Sequence, residues 1–256
     1  MSQEILWDKK GHIRIITFNR PDAMNATNVE MMILNGQYLQ EFIDDDDAWV
    51  LIYTGTGRAF GTGLDLKALK EIFALEPKPK SLTSLELSEF WKPTIAAING
   101  YAVGLGCELA LACDIRIAAE DARIGLPEVK RAMIPGAGGA QRLTRAVPLG
   151  NALMMLLTGD WVDAQEAYRI GLVQKVVPSD KLLDEALQLA EKICENGPAA
   201  VRTVKEAAYK GLDVTLRESL EQCRIYEQRN RQESAEDIAE GARAFAEKRK
   251  PEFKGR

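Results

Sequence analysis

The sequence predicts an α/β fold followed by a helical C-terminal part. In the first 140 residues, short runs of β-branched and apolar residues alternate with segments of helical period, which is typical of strands joined by crossover helices. Beyond about residue 140, nearly every segment has a helical period. With 256 residues and 46% hydrophobic content, the chain can bury a core without support from disulfides or metals.

The strands are predicted from short apolar runs. Ile13–Phe18 alternates β-branched residues, and Val50–Tyr53 is a compact apolar run. The other two predicted strands are Thr94–Ile98 and Ile115–Ala118. A shorter run, Ile124–Leu126, is followed by Pro127, which fixes the end of a strand before a turn.

Helices are predicted on both sides of residue 140. In the first part they are Val29–Ile43, Ser81–Trp91 and Gly106–Ala112. In the second part they are Lys181–Glu195, Pro198–Lys210, Val214–Arg231 and Ala235–Lys248. Two helix-start patterns, DxxE from Asp163 and SxxD from Ser234, support the helical interpretation. We therefore expect an α/β core over residues 1–195 and a helical part over residues 196–256, whose apolar stripes must pack on the core or on another subunit.

Charge and cysteine content narrow the class of protein. The net charge of -5 argues against a general nucleic-acid binder, because such binding depends on clustered Lys and Arg. The four cysteines form no CxxC pair, which is typical of reduced cysteines in a cytosolic protein. Neither a signal-length apolar segment at the N-terminus nor a run of about 18 apolar residues occurs. We therefore expect a cytoplasmic protein without nucleic-acid or membrane partners.

His12 is the only histidine, and this removes several chemistries. A Ser-His-Asp or Cys-His site would have to use His12, and no GxSxG motif offers the serine. Zinc ligands at usable spacing and an EF-hand pattern are missing as well, so no metal site is expected. If the chain is an enzyme, carboxylates, backbone amides or a cofactor must carry the reaction.

Three glycine-rich segments lie between predicted strands and helices, at residues 55–63, 100–106 and 136–139. They match neither a dinucleotide fingerprint nor a Walker motif. One interpretation is that each forms a tight turn. The other is that the glycines let backbone N–H groups approach negative oxygen at a helix N-terminus, with two such segments converging on one anion.

Two glutamates stand out by their surroundings. The helical neighbours of Glu108 are apolar, so its carboxylate is either paired with a buried base or kept there for a raised proton affinity. Glu128 follows Pro127 at the end of an apolar run, where a solvated side chain is the simpler interpretation of this residue alone. Together, two carboxylates near two amide-rich turns form a plausible acid–base pair beside an oxyanion site.

Six segments occur in an order and spacing that are specific to one family. They are NRPDAMNA from Asn19, GRAFGTGLDLK from Gly57, KPTIAAINGYAVGLGCELALACD from Lys92, GLPEVKRAMIPGAGGAQRL from Gly125, LTGDWVDAQEAYRIGLVQKVV from Leu157 and AFAEKRKPEFKGR from Ala244. By these segments the chain resembles the enoyl-CoA hydratase/isomerase, or crotonase, superfamily. The resemblance extends from about Ile13 to the C-terminus.

The resemblance implies a crotonase-like spiral of ββα turns with a helical C-terminal part that forms a homotrimer or a hexamer. It also implies that the backbone N–H groups of Thr62 and Leu105 hold the thioester oxygen of an acyl-CoA. The two catalytic glutamates of the family fall on Glu108 and Glu128. By the same resemblance Glu128 is the acid that delivers the α-proton, and Glu108 activates the water. No cofactor is implied, since coenzyme A is part of the substrate.

The resemblance further implies a binding site for the CoA part of the substrate. Its residues are Ala23, Met24, Thr62, Gly63, Leu64 and Asp65, with Phe253 and Lys254 reaching the CoA of a neighbouring subunit. Leu105 and Thr62 stand where the hydratases usually have glycine and alanine. Because both act through the backbone, donation can survive, but the added side chains are expected to narrow or reshape the acyl site. Leucine would also resist a positive φ if the turn demanded one.

The implied function is hydration of a 2-enoyl-CoA to a 3-hydroxyacyl-CoA, or the reverse dehydration. The nearest alternative is another reaction of the family on a CoA thioester, such as isomerisation of the double bond or a carnitinyl-CoA-like dehydration. The presence of both glutamates favours hydration. A third hypothesis is an RNA-binding or non-catalytic relative, which would bind RNA through a lysine-rich helix. The corresponding segment, Val29–Ile43, contains no Lys or Arg.

Overall fold

Strands of two sheets alternate along the central part of the chain in the computed structural model, which describes residues 3–81, 83 and 90–256. The strands are β1 (Ile5–Lys10), β2 (Ile13–Phe18), β3 (Val50–Gly55), β4 (Ala59–Gly61), β5 (Thr94–Ile98), β6 (Tyr101–Val103), β7 (Ile115–Ala119), β8 (Arg123–Gly125), β9 (Val162–Asp163) and β10 (Lys175–Val177). The helices are α1 (Val29–Asp44), α2 (Leu69–Ala74), α3 (Leu105–Ala112), α4 (Gly139–Ala146), α5 (Leu149–Thr158), α6 (Ala164–Arg169), α7 (Leu182–Cys194), α8 (Pro198–Gly211), α9 (Leu216–Glu233) and α10 (Ala235–Glu247). A 3-10 helix, Glu128–Arg131, lies between β8 and α4.

The larger sheet has six strands in the order β1-β2-β3-β5-β7-β10, and the smaller sheet has four in the order β4-β6-β8-β9. β1 pairs antiparallel with β2, and the other neighbours in the larger sheet are parallel. Each of β3, β5 and β7 is followed by a strand of the smaller sheet and then by a helix. These successive ββα turns are the spiral that the resemblance implies, so the predicted fold is confirmed.

The core lies on both faces of the larger sheet. On β3, Leu51 and Tyr53 belong to one apolar cluster, while Val50 and Ile52 belong to a second cluster on the opposite face. Helix α7 packs on β3, β5 and β7 over the second cluster. Strands covered on both faces are apolar throughout, which explains why the compact run of β3 does not alternate.

Most predicted elements agree with the structure. β2 and β5 have the predicted bounds, β3 and β7 extend slightly further, and α1, α3 and α7 to α10 differ from prediction by at most two residues at either end. The predicted helix Ser81–Trp91 lies mainly outside the described residues. The predicted boundary of the core, residue 195, falls in the turn between α7 and α8. The division of the chain at that point stays a prediction.

The expectation that nearly everything beyond residue 140 is helical was wrong at two places. Val162–Asp163 pairs antiparallel with β8, and Lys175–Val177 pairs parallel with β7. Both strands are only two or three residues long, so they carry no periodic pattern of their own. Their conformation is determined by the strand edge on which they lie, which is a tertiary effect.

The two helix-start patterns have different outcomes. The Asp163 carboxylate accepts a hydrogen bond of 2.8 Å from the backbone N–H of Glu166, as a capping residue should. Ser234 does precede α10, but its hydroxyl donates to the side chain of Asn230 and caps nothing. In the described part of the chain, no helix combines the length and apolar character needed to cross a membrane.

Candidate active site

The carboxyl ends of β4 and β6 lie side by side, because these two strands pair in parallel. The two chain segments approach closely just beyond this point. A Cβ added to Gly106 would lie only 2.2 Å from the carbonyl oxygen of Gly61, so this approach requires glycine. It brings together Thr62, which follows β4, and Leu105, which follows Gly104 at the start of α3.

The backbone at these two positions is relaxed. Positive φ angles fall on the adjacent glycines, +98° at Gly63 and +58° at Gly104, and neither Thr62 nor Leu105 has one. The expected conflict between leucine and a positive φ therefore does not arise. As the first residue of α3, Leu105 has an N–H group without an intrahelical acceptor. A Cβ on Gly63 would lie 3.8 Å from this nitrogen, so the two segments are in contact.

Glu108 lies in the first turn of α3 and is 3% exposed. Its Oε1 accepts hydrogen bonds from the backbone N–H groups of Ala137, at 2.7 Å, and Gly139, at 2.9 Å. Burial is the largest effect and raises the pKa of Glu108 above its ordinary value, although these two amides and the positive charge of Arg142 act to lower it. The carboxylate is thus desolvated, but it has specific partners for its ionised form.

Glu128 lies at the start of the 3-10 helix after β8. A Cβ on Gly104 would come within 3.3 Å of its Oε1, which places the carboxyl group beside the turn that leads to Leu105. Its Oε2 is buried and has no hydrogen-bond partner among the described residues. Burial is the main cause that raises the pKa of Glu128, its own backbone N–H lowers it, and the negative charge of Glu108 raises it further.

The two carboxyl groups therefore have unlike environments around one turn. Glu108 has two amide donors and a nearby cation, which stabilise its carboxylate form. Glu128 has an oxygen without a partner and a negative neighbour, which favour its protonated form. Two carboxyl groups of which one has donors for its ionised form and the other has an oxygen without a partner can act as base and acid in one reaction.

The two segments predicted to bind the CoA part of a substrate are joined by hydrogen bonds. The Thr62 hydroxyl donates to the Met24 carbonyl oxygen at 3.1 Å. The backbone of Thr27 bonds to Gly63 and Asp65, at 2.8 Å in both cases. The structure thus brings Ala23 and Met24 together with residues 62–65. It also shows that the added hydroxyl of Thr62 is bonded to this neighbouring loop.

Phe253 and Lys254 are placed elsewhere. Phe253 packs against the cluster on the α7 face of the larger sheet, whereas α3 contributes to the cluster on the other face. The backbone N–H of Lys254 donates to the Asp237 carboxylate at 2.7 Å. Within one chain these two residues are not brought to the loops around Thr62, and their predicted contact with the CoA of a neighbouring subunit stays a prediction.

The partners of Glu108 were not predicted from the sequence. Residues 136–139 were recognised as a glycine-rich segment with available amides, and the structure directs those amides at Glu108. Arg142 gave no signal, because a basic residue on a short polar helix is typical of a solvated surface. Among the described residues, no group of three or more His, Cys, Asp or Glu side chains could hold a metal ion.

Comparison with known proteins gives a consistent result. The sequence model of the family described as enoyl-CoA hydratase/isomerase matches residues 8–256. The chain is 41% identical, over 98% of both chains, to a probable enoyl-CoA hydratase of Mycobacterium tuberculosis strain CDC 1551. It is 40% identical, over 99% of both chains, to the 2,3-dehydroadipyl-CoA hydratase of Escherichia coli K12. The crystal structure of an enoyl-CoA hydratase from M. tuberculosis H37Rv superposes with a TM-score of 0.92, at 36% identity and full coverage of both chains.

Proposed function

The chain belongs to the enoyl-CoA hydratase/isomerase family, and from this premise we propose that it is a hydro-lyase that adds water across the double bond of a 2-enoyl-CoA. The product is a 3-hydroxyacyl-CoA, and the reverse reaction is a dehydration. The contrast between the surroundings of Glu108 and Glu128 is the observation that carries the proposal. This contrast provides a base and an acid beside the carboxyl ends of β4 and β6.

The oxyanion site is formed by the backbone N–H groups of Thr62 and Leu105. Addition of water to an α,β-unsaturated thioester places negative charge on the thioester oxygen. Fixed N–H donors stabilise that charge, and loss of one such donor typically raises the barrier by about 2.7–4 kcal/mol. The parallel pairing of β4 and β6, with the close approach of Gly61 and Gly106, supports this assignment.

Glu108 is the base and Glu128 the acid in this proposal. Glu108 takes a proton from water as the hydroxyl oxygen bonds to C3, and Glu128 gives its proton to C2, so that one OH and one H are added across the double bond. Glu108 then loses its proton to solvent and Glu128 regains one from solvent, which restores both carboxyl groups. The two amides at Glu108 and the orphaned Oε2 of Glu128 support this division. Because the carboxyl groups of Glu108 and Glu128 carry out both proton transfers of the addition, we propose no cofactor besides the CoA carried by the substrate.

Residues 23–24 and 62–65 bind the CoA part of the substrate in this proposal, and Phe253 and Lys254 complete the site of a neighbouring subunit. Relatives of nearly equal identity carry the names 2,3-dehydroadipyl-CoA hydratase and short-chain-enoyl-CoA hydratase. We therefore propose as substrate a 2-enoyl-CoA, the thioester class that these two names share, and we do not specify the rest of the acyl group. A cytoplasmic location without nucleic-acid or membrane partners remains part of it.

We propose further that the protein is a homotrimer or a dimer of trimers. Helix α9 is 18 residues long, and none of its residues is buried in a single chain. It nevertheless carries large apolar side chains at Leu216, Leu220 and Ile225, which are 60% or more exposed. A second copy of the chain would remove these side chains from water.

The test is the loss of ultraviolet absorbance of the conjugated thioester when the protein is mixed with crotonyl-CoA or a longer enoyl-CoA. We expect turnover by the wild type and a fall of about 100-fold or more in each of Glu108→Gln and Glu128→Gln. The matched control is Glu120→Gln, because Glu120 is exposed. Wild type that binds CoA thioesters without consuming the enoyl group would contradict hydration.

A further inference from the structure

Arg142 lies on α4, next to the turn whose backbone N–H groups hold the carboxylate of the proposed base. We propose that Arg142 is a positioning residue for Glu108 and acts through the backbone of Ala137. This inference rests on the proposed function, since it assigns Arg142 a part in holding the base of that reaction.

The connection runs through one residue. The guanidinium Nη1 of Arg142 donates to the carbonyl oxygen of Ala137 at 2.7 Å. The N–H of the same residue donates to Glu108 Oε1 at 2.7 Å. Fixing the carbonyl of Ala137 therefore fixes the orientation of the amide donor that holds the carboxylate.

The turn between Arg142 and Glu108 lies close to both side chains. A Cβ on Gly138 would lie 2.2 Å from Arg142 Nη1, and a Cβ on Gly139 would lie 3.0 Å from Glu108 Cγ. The guanidinium group thus packs on one side of the turn and the glutamate stem on the other. A change at Arg142 therefore reaches Glu108 through Ala137, which is bonded to both side chains.

The other contacts of Arg142 among the described residues are few. Within the described residues its guanidinium group bonds only to the carbonyl oxygens of Ala137 and Thr83, the second at 3.4 Å, and forms no ion pair with a carboxylate. A partly buried cation is costly unless a negative group compensates it. The negative charge that most strongly favours its charged form is that of Glu108.

Several charged or titratable groups lie near Glu108 and Arg142. Glu128 faces Glu108 from the 3-10 helix, and the Cys107 thiol is adjacent on α3. The Tyr209 phenol and the Cys113 thiol lie near Arg142, and the positive charge of Arg131 acts on Glu128. Burial raises the pKa of the Tyr209 phenol and of the Cys107 and Cys113 thiols, so none of the three ionises near neutral pH. Activity should therefore depend on pH through Glu108 and Glu128, with the two titrations coupled.

The kinetic test compares Arg142→Gln and Arg142→Lys with the wild type over a range of pH. We expect kcat of Arg142→Gln to fall about 10- to 100-fold with little change in KM, because the base is displaced while the CoA site is intact. The acid limb of kcat/KM should move to higher pH in Arg142→Gln and by less in Arg142→Lys, which keeps the charge. A loss of kcat with an unmoved acid limb would overturn the proposal.

Arg145→Gln is the matched control, since Arg145 lies one turn further along α4 and is largely exposed. We expect its pH profile to equal that of the wild type. The double variant Glu108→Gln/Arg142→Gln should lose less than about 3-fold relative to Glu108→Gln alone, because Arg142 has no base left to position. A full additional loss in the double variant would contradict action through Glu108.

A second readout does not require activity. Side-chain carboxyl ¹³C signals can be followed through a pH titration, with the Glu108 signal assigned by its absence in Glu108→Gln. The pKa of Glu108 should be higher in Arg142→Gln than in the wild type, and an unchanged pKa would overturn the inference. This measurement tests the positioning role of Arg142 separately from the proposed hydration. The pKa of Glu108 can be compared between Arg142→Gln and the wild type whether or not the wild type hydrates an enoyl-CoA.

Discussion

At the scale of the residue, Glu128 is placed where its charge is unfavourable. Its Oε2 is buried without a partner, and Glu108 adds a negative charge nearby. Acid catalysis requires such a site, because a carboxyl group that is well solvated loses its proton below neutral pH. A residue held for its chemistry in an unfavourable environment should reduce the stability of the fold.

Glu128→Gln should therefore be more stable than the wild type above neutral pH, by about 1 kcal/mol. The folded-state pKa of Glu128 is raised, so the stability that its carboxyl group contributes is complete below the unfolded pKa and is lost as pH rises through the folded pKa. The advantage of glutamine should thus be largest at pH 8 and smaller at pH 5. Urea unfolding at both pH values measures it, and an equal difference at the two would contradict the argument. Glu120→Gln should show no difference at either pH.

Sequence patterns indicated Glu108 and Glu128 as candidate catalytic residues, but they did not indicate Arg142. Glu108 stands out because a charged residue interrupts an apolar helical stripe. Glu128 was singled out by its position after Pro127 at the end of an apolar run, but its role as the acid came only from resemblance to a family. Arg142 and the amides of residues 137 and 139 depend on a contact between α3 and the turn before α4, and no local pattern records such a contact.

At the scale of the element, the approach of β4 to the start of α3 determines the geometry of the oxyanion site. Gly106→Ala would place its Cβ 2.2 Å from the backbone oxygen of Gly61, which cannot rotate away. We expect a loss of about 1–3 kcal/mol in the free energy of unfolding, or more, together with a large loss of kcat as Thr62 and Leu105 move apart.

The matched control for Gly106→Ala is Gly150→Ala on α5, where an added Cβ meets nothing within 4 Å. That change should stabilise the protein by about 0.5–1 kcal/mol and leave activity unchanged, because alanine favours the helix over glycine. Thermal unfolding and the absorbance assay measure both effects. Gly106→Ala with the stability and activity of Gly150→Ala would contradict the argument.

The strands differ in how well the sequence predicts them. β2 and β5 were predicted with their observed bounds because their β-branched runs are long enough to show a pattern. β1 was missed, since half of this edge strand is the polar run Asp8–Lys10. The strands of the smaller sheet are three residues or shorter and were missed or only partly seen, although they position the candidate site.

At the scale of the whole molecule, the exposed apolar side chains of α9 lead to a prediction about assembly. Sedimentation equilibrium should give a mass of three or six times the 28.3 kDa of one chain. The double variant Leu216→Glu/Leu220→Glu should shift this mass toward one chain, because charged groups at both positions would oppose burial. Leu183→Glu on α7, which is also exposed, should not. A wild type that sediments at 28.3 kDa would contradict the proposed trimer.

The strands of the larger sheet stand side by side in chain order, from β1 to β10. During synthesis on the ribosome, each strand can therefore add to an edge formed by the strand that emerged before it, and no strand has to be inserted between two others. Once β7 has emerged, its outer edge stays open until Lys175–Val177 arrives, more than 50 residues later. An open strand edge is a site of aggregation. The interval between the emergence of β7 and that of β10 is thus the stage of biosynthesis at which a chaperone would matter most.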